Sequence, residues 1–228
     1  MNANNPSQTP QLRPTAEVLL KAAERLYAEQ GLGVVSTRQI AREAGQKNHS
    51  AINYHFGDEA SLIEAILDYR MIPLNLKRAE QVNRLRDAGL GGDIRELVKA
   101  IVEPFATELL RDEHDSYYLS LLAQLINRDQ WSQYFTSHPQ RSGAIMQAAE
   151  LIITQLSLSI PKDIATYRLS LMGRQVIRTV ADWDAERRSG EGKISEDSLN
   201  WQLNNLIDYL VGALAAPVMS QHSIPEEL

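Results

Sequence analysis

Ser36-Thr37-Arg38-Gln39-Ile40-Ala41-Arg42-Glu43-Ala44-Gly45, continuing into Gln46-Lys47-Asn48-His49-Ser50-Ala51-Ile52-Asn53-Tyr54-His55-Phe56, is the segment from which the architecture of this chain can be worked out. Ser36 and Gln39 have the spacing of a capping box, in which the serine hydroxyl serves the amide three residues on and the Gln39 side chain reaches back. The helix so started is short: Ile40, Ala41 and Ala44 share one face, and Gly45 ends it. A second short helix follows. At 100° per residue, if Ile52 and Phe56 point into a core, then Lys47, Ser50, Asn53 and Tyr54 project from the opposite face, and all four are hydrogen-bonding types. Two short helices around a glycine turn, the second with a polar outer face, have the layout of a helix-turn-helix.

Working outward, Pro14-Thr15 opens an amphipathic helix in which Leu19, Ala22/Ala23 and Leu26/Tyr27 recur at three- and four-residue spacing. Thr15 is its expected N-cap and Gly31 its left-handed stop. On the other side Asp58 caps a helix from Glu59 to about Ile72, with Leu62, Ile63, Ile66, Leu67 and Tyr69 apolar and Pro73 breaking or kinking it. From Leu74 onward the pattern is helical, in segments at about 74–87, 93–111, 115–136, 142–158, 162–188 and 197–214, the second divided at Pro104. No stretch alternates with period two between turn signals, so the fold class expected is all-α. Residues 1–13 form a polar tail, expected to be disordered, with no apolar run resembling a secretory signal.

The run from Ser36 to Gly45, then Ala51 to Phe56, then Leu62 and Ile63, resemble the N-terminal domain of TetR-family transcriptional regulators. Leu26-Tyr27-Ala28-Glu29-Gln30-Gly31 is similar to the end of that family's first helix. The resemblance covers roughly residues 15–70. It departs at three places. The interval from Gln46 to His55 is one residue longer than the family's usual spacing, which makes Asn48 a candidate N-cap for the recognition helix. Asn53 stands where the family often has tyrosine, with Tyr54 one position later. Gly57-Asp58-Glu59 replaces the lysine often found after the closing Phe. The resemblance implies a three-helix DNA-binding domain over 14–58 and a larger helical effector-binding and dimerisation domain over 59–228. It implies a sequence-specific DNA-binding transcriptional regulator, a repressor released from a pseudo-palindromic operator by a small, mainly apolar ligand. The alternative is a DNA-binding or interaction protein with no small-molecule effector, controlled by a protein partner.

DNA chemistry assigns roles to these side chains independently of the family. A helix fits the major groove, where asparagine pairs bidentately with adenine and lysine donates to guanine. Lys47, His49 and Asn53 are the base-edge candidates, with Asn48 beside them. Thr37, Arg38, Ser50, Tyr54 and His55 suit backbone contacts that set register.

The charge of the whole chain argues the other way until it is divided. There are 23 Lys+Arg against 29 Asp+Glu in 228 residues, net −6, with 43% hydrophobic residues and no cysteine. Residues 1–58 carry +1 and the remainder −7, and Val34–Phe56 holds three basic residues to one acidic. The head is therefore the end that faces phosphate. Absence of cysteine excludes disulfide scaffolds, thiolate nucleophiles and cysteine-ligated metals. No apolar run is long enough for a membrane span, so a cytoplasmic protein with no membrane partner is expected. Enzyme readings fail for want of chemistry. Gly31-x-Gly33 lacks the third glycine and the preceding strand of a dinucleotide site, and there is no Walker loop, no nucleophile elbow and no His-x-x-x-His pair. Glu113-His114-Asp115 cannot converge on one metal from neighbouring helical positions. No cofactor is expected.

In the C-terminal part, Phe105, Tyr117, Tyr118, Leu121, Leu125, Trp131, Phe135 and Met146 have the character of an apolar ligand cavity, with Gln124, Asn127, His114 and Arg174 as polar groups that could orient a ligand; core packing accounts for the same apolar residues. A helix-turn-helix protein reads half-sites as a dimer. The broad stripes Met172, Val176, Val180 and Trp183, and Leu199, Leu203, Leu206 and Leu210, are the expected homodimer interface, which the resemblance implies is a four-helix bundle across a two-fold axis; the alternative is that both stripes fill the core of a single subunit.

Overall fold

The computed structural model describes residues 12–48, 50–110, 116–128, 134–135, 138–189 and 195–218, and among these every regular element is helical. Of the predicted tail, only Leu12 and Arg13 are among the described residues. The head comprises α1 (Pro14–Gln30), α2 (Thr37–Glu43) and α3 (Ala51–Phe56). Thr15 is not the cap of α1. Pro14 takes the first helical position behind Arg13, and no side chain caps it, because a proline there has its φ preset and no N–H to satisfy. Gly31 closes α1 with φ +96° and ψ 147°, its N–H donating to the Tyr27 carbonyl. That is a glycine-favouring φ, but the chain leaves extended rather than left-handed helical.

α4 (Glu59–Asp87) is the spine of the molecule, and it does not end at Pro73. The apolar stripe Leu62, Ile66, Leu67, Met71, Leu74 and Val82 runs uninterrupted across the proline. Clamps from α8 (Pro139–Leu156) hold both sides of it. Fully buried Arg141 donates through Nε to Asp68 Oδ1 at 2.5 Å and through Nη1 to the Tyr134 carbonyl at 2.9 Å. Asn75 donates through Nδ2 to the Gln140 carbonyl at 2.9 Å and accepts the Ala144 N–H at 3.2 Å. These tertiary bonds offset the ladder bond that proline removes.

α5 (Ile94–Val102), capped by Asp93, leads through a 3₁₀ turn at Glu103–Phe105 into the short α6 (Ala106–Leu109), so Pro104 does divide this segment. α7 (Tyr118–Leu125) is much shorter than the predicted 115–136. α9 (Lys162–Ser189) and α10 (Glu196–Ala215), the latter capped by Ser195, complete the body. α4 packs on α8, α5 lies between α8 and α10, and α9 covers α7 and α8. α1 packs against α7, so one apolar core runs from Leu19 through Leu67, Val98 and Ile152 to Leu206. No helix among the described residues is long and apolar enough to cross a membrane.

This packing changes the expectation for the dimer stripes. Met172, Val176, Val180, Leu199, Leu203, Leu206 and Leu210 are all buried inside one subunit, and Trp183 is half-buried against the same core. The leucine seam of α10 faces α5, which supplies Leu97, Val98 and Ile101. The side chains these helices leave outside are different ones: Tyr167, Leu171, Trp201 and Tyr209, each about half or more exposed.

Candidate nucleic-acid interface

The interface is built on two caps. Ser36 Oγ accepts the Gln39 N–H at 3.2 Å and starts α2. The reciprocal half of the predicted box is not formed, because the Gln39 side chain instead donates to Gln30 Oε1 at 2.8 Å and ties α2 to the end of α1. At the other end, the Gly45 N–H donates to the Arg42 carbonyl at 3.0 Å and the Gln46 N–H to the Ala41 carbonyl at 2.8 Å. With φ +68° at Gly45, this is a Schellman closure, which needs the left-handed conformation that a Cβ disfavours. It sets the angle between α2 and α3.

Asn48 is not the N-cap of α3, a position that Ser50 takes without a side-chain bond; Asn48 instead closes the turn just before the helix. Its Oδ1 accepts the Ser50 N–H at 2.9 Å and its carbonyl the Ala51 N–H at 3.2 Å. Ile52 is fully buried and Phe56 packs against the core, while Lys47, Asn48, Ser50, Asn53 and Tyr54 are exposed. The expected faces hold for Ile52, Asn53, Tyr54 and Phe56, whereas Lys47 and Ser50 are exposed but precede the helix, which begins only at Ala51. His55 is half-buried, its ring edge-on to Tyr54 with centroids 4.9 Å apart. Thr37 is half-buried and Arg38 exposed, both in the first turn of α2. His49 lies outside the described residues.

Electrostatics reinforce the arrangement. Glu43, the single acid of Val34–Phe56, is ion-paired with Arg25 of α1, which also lies 3.9 Å from Glu29. Arg38, Arg42 and Lys47 are exposed and have no ion-pair partner among the described residues. Three cations and the amide of Asn53 are thus exposed on the head, while the acid is tied to α1. Asp58 caps α4 through its carboxylate, which accepts the Ser61 N–H at 2.7 Å; that bond holds its pKa below the ordinary value.

The head is joined to the body by polar contacts that the sequence does not advertise. Glu24 on α1, 1% exposed, takes two bonds from Arg70 of α4, Nε to Oε2 at 2.7 Å and Nη2 to Oε1 at 3.0 Å. It also accepts the Tyr117 N–H at 2.7 Å, just before α7. Gln124 donates to the Ala28 carbonyl at 2.8 Å and Arg128 to the Leu32 carbonyl at 2.7 Å. Behind Arg70 stands buried Glu108 at 3.9 Å, which accepts Ser116 Oγ at 3.0 Å. One signal of this network was available: Arg70 continues the buried Leu62, Ile63, Ile66, Leu67 face of α4, where an arginine is costly unless paired.

Among the described residues, the predicted pocket side chains take up separate positions. Phe105, Tyr118, Leu121 and Leu125 are buried in the common core, whereas Met146 is exposed. Tyr117, half-buried, lies under the Arg188 guanidinium at 4.0 Å from its ring centroid. Gln124 serves the head rather than a cavity, Asn127 donates locally to the Ala123 carbonyl, and half-buried Phe135 packs on the core. Trp131 and the Glu113-His114-Asp115 trio lie outside the described residues. Arg174 lines an open groove of about 480 Å³ between α9 and α10, with Leu171, Met172, Gln175, Tyr209 and Leu210.

A short helix aimed by a glycine closure, with a cation and amide face and an apolar back, is a helix-turn-helix that reads duplex DNA. Residues 19–66 match the family described as bacterial regulatory proteins, tetR family. The match spans α1 to the first turns of α4, and together with the geometry of α2 and α3 it supports a DNA-binding transcriptional regulator. The fold of the chain is similar to that of native NalD, the secondary repressor of the MexAB-OprM multidrug efflux pump in Pseudomonas aeruginosa. The two are 21% identical, with a TM-score of 0.54, over 87% of this chain and 96% of that one. No curated protein matches the chain significantly.

Proposed function

We propose that the chain is a homodimeric repressor that binds a pseudo-palindromic operator and is released from it by a small, mainly apolar ligand held in the body. Residues 14–58 read the DNA and 59–228 carry effector and dimer contacts. Lys47, His49 and Asn53 take base edges, while Thr37, Arg38, Ser50, Tyr54 and His55 take phosphates, with Asn48 fixing the start of the recognition helix. The outward faces of α9 and α10, around Leu171, Trp201 and Tyr209, supply the dimer contact.

The observation that carries the release mechanism is the buried Glu24–Arg70 pair with its third bond from Tyr117. It fastens α1 to α4 and to the start of α7, so a shift within the body moves the head with it. A ligand acts only if it binds the DNA-incompetent arrangement more tightly than the other. The test is a gel shift with the DNA upstream of the protein's own gene. Wild type should bind in a salt-sensitive, sequence-specific way. Unchanged affinity in both Asn53→Ala and Tyr54→Ala would reject the assignment of the recognition face.

A further inference from the structure

Three arginines among the described residues are buried to 4% exposure or less, and they are not alike. Arg70 has Glu24 and Glu108, and Arg141 has Asp68 and Glu64. Arg78, 2% exposed on the inner face of α4, has no carboxylate among the described residues. Its Nε donates to the Ile101 carbonyl at 3.0 Å, and its guanidinium carbon lies 4.8 Å from the centroid of the Phe105 ring. Nη2 is buried with no hydrogen-bond acceptor among the described residues. Burial lowers its pKa to about 10, still leaving it charged at neutral pH. A buried cation with an unfilled donor is strongly unfavourable without a counter-ion. One turn along α4, Gln81 donates to Glu103 Oε2 at 3.0 Å but its own Oε1 is buried without a donor. Gln81 borders a groove of about 330 Å³ between α4 and α5, with Leu85, Ala100, Lys99 and Glu103.

We propose that Arg78 is the anchor for the carboxylate of a small apolar organic acid, which enters between α4 and α5 and lays its apolar body against Phe105 and Tyr118. The chemistry fits a carboxylate because Nη2 offers a charge-assisted donor in an apolar setting, where a neutral ligand of the same shape would leave the cation uncompensated. The proposal rests on the effector reading above and narrows it to an acid. It also places the effector against α4 itself, eight residues along the same helix from Arg70, which holds the head.

The full-length protein is titrated with 2-naphthoate and its neutral isostere 2-naphthamide by calorimetry, in wild type, Arg78→Met and Arg78→Gln. Saturable binding of the acid is expected, about tenfold to hundredfold weaker for the amide, and lost in both variants, as for a charge-assisted bond. In the absence of ligand, Arg78→Met should melt at or above the wild-type temperature, since an orphan cation is replaced by an apolar chain of similar reach. Equal binding of acid and amide, equal binding by the variants, or no binding of the acid would each overturn the anchor. So would a large loss of stability in both variants, which would make Arg78 a structural member of the core. The effector reading is separated by a gel shift run alongside. Binding of the acid at Arg78 without operator release leaves the site standing and removes its regulatory role. Operator release by a neutral compound alone rejects the anchor and keeps the effector.

Discussion

Replacing Glu24 by glutamine tests whether the head and body are one mechanical unit. Glu24 is 1% exposed, Arg70 4%, and the pair shares two direct bonds while Glu24 Oε1 also accepts the Tyr117 N–H. Removing one partner of a buried pair costs about 3–5 kcal/mol, because the other charge is stranded. Here Glu108 stays 3.9 Å from Arg70, which holds the cost near the lower end, about 3 kcal/mol. With a urea dependence of about 3 kcal/mol/M, the unfolding midpoint should fall by about 1 M. The double variant Glu24→Leu/Arg70→Met removes both charges. It should lose clearly less than the sum of the single losses, with a coupling of at least about 1 kcal/mol. The assay is urea denaturation followed by circular dichroism at fixed protein concentration, since association shifts the midpoint. A loss under about 1 kcal/mol for Glu24→Gln, or strict additivity in the cycle, would refute the claim that this pair carries the junction.

Four further outcomes are expected. Asn53→Ala should relax discrimination at one operator base pair by about 1–3 kcal/mol, whereas Arg38→Ala should weaken binding to all sequences and lower the salt slope by about one; quantitative gel shifts at several salt concentrations read both. Gly45→Val should lower the melting temperature and abolish operator binding, because φ of +68° is costly for a branched residue and its relief re-aims α3, while Gly45→Asn should retain binding. Asp58→Asn should be less stable than wild type at neutral pH. The folded carboxyl is held below its ordinary pKa by the Ser61 amide, so its contribution is present above about pH 4 and lost as pH falls through the lowered folded value; the two proteins should converge in acid denaturation curves. Trp201→Glu should shift the sedimentation of the protein toward a single subunit, since 69% of that side chain is exposed and available to a second copy.

The head was legible because its signals are local. Ser36, Gly45 and Asp58 each act on amides within a few residues, and α3 is so short that Ile52 alone fixes which side faces out. The body was legible only as a set of helices. Pro73 has a strong local meaning, and it was overridden by Arg141 and Asn75, whose partners lie on another helix. The leucine seam of α10 carries the same periodicity whether it meets a second subunit or, as here, α5. Gln124 looked like a cavity group because nothing in its own helix shows that the Ala28 carbonyl lies opposite. Buried charge is the least legible of all, since Glu24, Arg70 and Arg78 sit in patterns that a hydrophobicity reading counts as surface. Their positions on otherwise apolar helical faces were the available clue.

The continuity of α4 through Pro73 makes it a lever as well as a link. At 1.5 Å per residue its 29 residues span about 43 Å, with Glu59 about 21 Å from the proline. A tilt of about five degrees around that point displaces the end beside the recognition helix by about 2 Å. In a two-fold pair the displacements add, giving about 4 Å against a half-site spacing of about 34 Å. A helix broken at Ile72 would absorb the same motion at the break and deliver none of it to the groove.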